Sequence, residues 1–69
     1  MNIKLKVGFR IKELRKQKNL SQEKLALKAE IDRTHMHSIE AGKTNVSIEI
    51  LEKIANALEI NIIELFKND

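Results

Sequence analysis

The chain of 69 residues contains no cysteine, no proline and only two glycines. Without cysteine, neither a disulfide scaffold nor a cysteine-based zinc site is available to stabilise it. Missing prolines and scarce glycines fit an all-helical chain with short connections. No apolar run approaches the roughly 18 residues needed to cross a bilayer. Lys4 and Lys6 interrupt the apolar stretch at the start, so it does not read as a signal peptide. A cytoplasmic location with no membrane partner is expected. So short a chain allows one domain, residues 1–69, around one small core.

What the chain does have is charge, unevenly spread. The net value of +3 decides little. Residues 1–43 carry eleven basic and five acidic side chains, a balance of +6, while residues 44–69 carry two and five, a balance of −3. This asymmetry points to one polyanion-facing side and one side with another task. Ordinary solvation of helix faces would give the same pattern, so charge alone leaves both readings open.

The spacing of apolar residues supplies the fold class, all-α. A first helix is predicted from about Leu5 to Lys18, with Val7, Ile11 and Leu14 as its inward stripe. Asn19 is placed to end it in a left-handed conformation. Ser47 can cap a fourth helix, in which Ile48, Leu51, Ile54, Ala55 and Leu58 keep helical period and should be core. Asn61, with Glu64 three residues on, has the form of a capping box for a short last helix. Residues 67–69 are expected to fray.

Between these lies Ser21–Gly42, two short helices joined by a tight turn. Ser21 can cap the first, which puts Leu25, Ala26 and Ala29 on one face. Asp32 can cap the second, in which Met36 and Ile39 face inward and Gly42 supplies the stop. The outer face carries Arg33, Thr34, Ser38 and, nearer its edge, His37. A helix that is apolar behind and rich in hydrogen-bonding groups in front suits insertion into a DNA major groove.

SQEKLA, a turn, and then DRTHMHSIEAGKTN resemble the Xre/Cro-repressor family of helix-turn-helix proteins. The likeness is greatest to the small controller proteins of restriction–modification operons, and it extends from about Val7 to Phe66. It implies a compact five-helix, lambda-repressor-like DNA-binding domain whose third helix reads double-stranded DNA as a homodimer. The resemblance places base readout at Arg33, Thr34, His37 and Ser38. It also implies a phosphate contact from Gln22 and pairing of Arg15 with Glu40. Lys43, Thr44 and Asn45, just after the recognition helix, should meet the sugar–phosphate backbone, which positions the protein without reading sequence.

The residue chemistry agrees with these roles. Arginine's planar fork matches the O6 and N7 acceptors of guanine, worth about 1–3 kcal/mol of discrimination. A surface arginine is the plainer reading of Arg33, but the positive end of a helix is an unfavourable place for one. Thr34 suits a thymine methyl or a base-edge acceptor, and Ser38 reaches a shorter distance. If Arg15–Glu40 is buried, removing one partner should cost about 3–5 kcal/mol; if exposed, the pair is worth little. His35 and His37 lie about 200° apart around a helix and cannot chelate one metal together. His35 is expected to pack on the first helix or a phosphate. No catalytic constellation, cofactor or small-molecule ligand is expected.

The sequence departs from the family pattern at Glu30, where glycine is common, at Val46, where proline is common, and at Ile63, where a polar residue is common. If left-handed, Glu30 is strained by roughly 1–2 kcal/mol. Ile63 joins Leu5, Phe9, Leu27 and Ile50 as apolar residues off the main stripes. A dimer interface is therefore expected around Ile50, Ile60, Ile63 and Phe66, with Leu5 and Phe9 lying over the last helix as further core. The function expected is sequence-specific transcriptional regulation at a palindromic operator, in a restriction–modification controller or a phage Cro-like repressor. An antitoxin-like protein-interaction module is the alternative from another class.

Overall fold

In a computed structural model, residues 2–67 are described; Asn68 and Asp69, expected to fray, lie outside them. Four α-helices and a 3-10 helix follow in chain order: α1 (Ile3–Gln17), α2 (Gln22–Ala29), α3 (Arg33–Glu40), α4 (Ile48–Leu58) and the 3-10 helix Ile62–Phe66. Each begins at a side chain able to accept from orphan backbone N–H groups. Ser21 Oγ accepts from Lys24 N–H at 3.0 Å, Asp32 Oδ2 from Thr34 N–H at 3.0 Å, and Ser47 Oγ from Ile50 N–H at 3.1 Å. The first helix starts two residues earlier than the spacing predicted. Asn2 Oδ1 accepts from Lys4 N–H at 3.0 Å and Leu5 N–H at 3.4 Å, which makes Asn2 the cap.

The α-helices also end alike. Each of the four closes with paired backbone bonds from residues just past its end: Asn19 and Leu20 after α1, Gly42 and Lys43 after α3, Glu59 and Ile60 after α4, and after α2 Glu30 N–H to Leu27 C=O at 3.1 Å and Ile31 N–H to Ala26 C=O at 2.9 Å. The chain then turns inward, so that Leu20, Ile31 and Ile60 pack on the core just after their helices. That core is centred on Ile11, Leu25, Met36, Ile39, Ile54, Leu58 and Leu65, all fully buried.

The last element differs from the predicted α-helix. It is too short to gain from i→i−4 bonding, and Glu64 N–H bonds Asn61 C=O at 2.9 Å. No capping box forms there. Asn61 Oδ1 accepts from Ile63 N–H at 2.9 Å, while the Glu64 carboxylate turns to Arg10 and Lys67. Arg10 itself is buried and donates Nε to the Glu64 carbonyl at 2.8 Å, fastening α1 to this element. Two further expectations need correcting. Ile48 is 79% exposed at the first turn of α4 instead of lying in the core, and Phe9 is 67% exposed. Leu5 packs near Gly42 at the end of α3, and it too stays more than half exposed.

Candidate nucleic-acid interface

The turn between α2 and α3 sets the site. Glu30 takes the left-handed conformation, φ 57°, which lets Ile31 plunge into the core and Asp32 start α3 immediately. The new helix buries Met36, Ile39 and Glu40 and turns its other side outward. Arg33, Thr34 and His37 are exposed there and line one shallow recess together with Gln22 from the start of α2. Ser38 and His35 are half-buried on the flanks. Past the helix, Lys43 and Asn45 are exposed and Thr44 is half-buried, its Oγ1 donating to the Asn45 carbonyl at 3.3 Å.

Behind the recess, Arg15 grips Glu40. Nε donates to Oε2 at 2.8 Å and Nη2 to Oε1 at 3.1 Å, with the glutamate side chain 2% and the arginine side chain 10% exposed. The remaining Nη1 donates to the Leu20 carbonyl at 2.8 Å, so the same guanidinium also ties down the end of α1. This two-pronged geometry locks the last turn of α3 to α1. Gln22 extends the network: its Nε2 donates to Glu40 Oε1 at 3.1 Å, and its Oε1 lies 3.4 Å from His37 Nδ1. Among the described residues no buried side-chain polar atom lacks a partner. The third helix thus stands on a satisfied polar support, with Arg33 and Thr34 exposed on its outward side.

A helix-turn-helix family model matches residues 11–65. Control protein C.MunI from a Mycoplasma species is 48% identical over 97% of this chain and 92% of its own length. Among solved structures, the restriction–modification controller protein C.AhdI from Aeromonas hydrophila superposes with a TM-score of 0.88 at 45% identity, covering 90% of this chain and 94% of that one. C.Esp1396I bound to a 25 base pair operator site gives 0.84 at 39% identity, over 93% and 84%. The chain belongs to the helix-turn-helix family of DNA-binding transcription regulators.

Two polar links in this regulator fall outside the pairings expected from its sequence, the Arg10 clamp on the 3-10 helix and the Gln22–Glu40 bond beside the recess. The Arg10 clamp was readable in principle, because residues 7, 10, 11 and 14 form one helical stripe and an arginine within it must find buried partners. The link from Gln22 to Glu40 joins residues eighteen apart and has no local signal. Gln22 therefore has a structural task within the site, and its side chain is half-buried.

Proposed function

We propose that this chain is the control protein of a restriction–modification operon, binding a palindromic operator as a homodimer. The observation that carries the reading is the recess of Arg33, Thr34, His37 and Gln22 on a helix clamped from behind. Arg33 reads guanine, Thr34 meets a thymine methyl or base-edge acceptor, and His37 and Ser38 complete base recognition. Gln22 through its backbone N–H, His35, Lys43, Thr44 and Asn45 hold the phosphates. The two subunits meet through Ile63 and Phe66, with Ile50 and Ile60 behind them. Residues 1–69 act as one cytoplasmic unit by binding alone, their response set by concentration.

Selection of binding sites from random DNA tests this most directly. A palindrome with half-sites about one helical turn apart is expected. Affinity should fall by a factor on the order of 10³ between 50 and 200 mM salt if about six phosphates are held. Arg33→Ala should abolish the preference for one guanine in each half-site while leaving the salt response nearly unchanged. An unaltered base preference in that variant would remove Arg33 from its role, and a flat salt response would remove the DNA reading itself.

A further inference from the structure

Hydrogen bonds in series run from the core to the edge of α3, and each fixes the polarity of the next. Glu40, held by the Arg15 fork at 2.8 and 3.1 Å, only accepts. The Gln22 amide must therefore turn its NH2 toward Glu40, at 3.1 Å, which leaves its carbonyl oxygen facing His37 Nδ1 at 3.4 Å. A carbonyl oxygen also only accepts, so Nδ1 must carry a hydrogen. Neutral imidazole has a single N–H, and Nε2 then holds a lone pair. His37 is exposed and shares its recess with Arg33 and Thr34, one turn back on the same face of α3.

We infer that His37 is a hydrogen-bond acceptor for one base, and that Gln22 is the positioning residue that makes it so by selecting the tautomer. The inference rests on the DNA-reading function proposed above and specifies how one position of the site is read. In the major groove, adenine offers an N6 amine and cytosine an N4 amine, whereas guanine and thymine present only acceptors at their base edges. Nε2 of His37 accepts from the amine of adenine or cytosine, and at guanine or thymine one lone pair would face another. The recess then carries a mixed code, with a donor fork at Arg33 and an acceptor at His37.

Two measurements test this. The first is long-range nitrogen–proton correlation NMR on the free protein at pH 8. The hydrogen of His37 is expected on Nδ1 with Nε2 unprotonated, and Gln22→Met should return the ring to the tautomer mixture of an unconstrained histidine. The second is binding to the selected operator varied at the base pair beneath His37. Wild type should favour adenine or cytosine there about three- to tenfold. Gln22→Met and His37→Ala should each flatten that preference, the double variant no further, with the guanine preference at Arg33 retained. Thermal melting checks that both variants fold. Hydrogen on Nε2 in wild type, or a base preference that survives Gln22→Met, overturns the inference. A wild type with hydrogen on Nδ1 but no site preference anywhere also overturns the reader role, and there the fault lies with the DNA reading instead of the tautomer.

Discussion

Among the described residues, three other than glycine hold positive φ: Asn19 at 58°, Glu30 at 57° and Glu59 at 59°. Each stands just past a helix, where a left-handed residue lets the chain reverse and brings the following apolar side chain onto the core. Asparagine tolerates that conformation, whereas glutamate is strained by about 1–2 kcal/mol. Glycine would relieve the strain and lose roughly 0.5–1 kcal/mol of it to greater freedom in the unfolded chain. Glu30→Gly and Glu59→Gly should therefore each raise stability by up to about 1 kcal/mol, and Asn19→Gly should change it little; urea unfolding of the three variants measures this. A loss of stability in both glutamate variants would mean that those side chains contribute contacts exceeding the strain. The strain at Glu30 could be foreseen because it departs from a recognisable turn pattern. Glu59 departs from no such pattern, although Glu59–Ile60 after Leu58 repeats the order of Glu30–Ile31 after Ala29. Caps such as Ser21, Asp32 and Ser47 were legible for the opposite reason, since their effect is local and depends on side-chain chemistry alone.

At the scale of elements, the crossing of α1 over α3 depends on Gly8. A Cβ there would run into the Ile39 carbonyl oxygen and sit 2.9 Å from that of Glu40, both backbone atoms at the end of α3. Alanine would improve helix propensity by about 0.8–1.0 kcal/mol, but separating two packed backbones costs about 1–3 kcal/mol. Gly8→Ala should destabilise by roughly 1 kcal/mol, and it should weaken DNA binding as well because Glu40 and the recognition helix shift together. Chemical denaturation and operator titration of one variant check both; unchanged values would mean that α1 yields without moving α3. The interior glycine was a readable sign of close approach, though its partner was not, because crossings depend on residues about thirty apart. On the other side of α1, the Glu64 carboxyl is held below its ordinary value of 4.5, chiefly by the hydrogen bond from Lys67, then by the charges of Lys67 and Arg10. A carboxylate favoured in the folded state stabilises above that value, and its contribution is lost as pH falls through the lower folded value. The seating of the 3-10 helix should loosen with acid in that range. Glu64→Gln should show a shallower loss of urea midpoint below pH 4.5 than wild type, and parallel curves would rule the carboxylate out.

For the molecule as a whole, the proposed subunit contact falls on apolar side chains left exposed on the last element. Ile63 is 60% and Phe66 41% exposed on the last element, with Ile3 and Ile48 exposed beside the same end of the core, whereas Ile50 and Ile60 are half-buried and already pack inward. Periodicity set Ile50 and Ile63 apart from the main stripes but placed Ile48 in the core, because exposure depends on how α4 and the 3-10 helix sit against α1. If Ile63 is at the centre of the two-fold contact, a carboxylate there would be buried opposite its own symmetry mate, a like-charge pair without a partner. Folding of the single chain should be unaffected, since Ile63 contributes nothing to the core. Ile63→Glu should therefore sediment as a monomer at concentrations where wild type is dimeric, and its operator affinity should fall by roughly 100-fold as the two reading heads lose their linkage. Leu27→Gln supplies the comparison: Leu27 is 75% exposed on α2, so this change alters surface apolarity equally while leaving both sedimentation and affinity as they were. An Ile63→Glu protein that keeps the wild-type sedimentation weight would place the subunit contact elsewhere, and the exposed Phe9 face of α1 would be the next surface to probe.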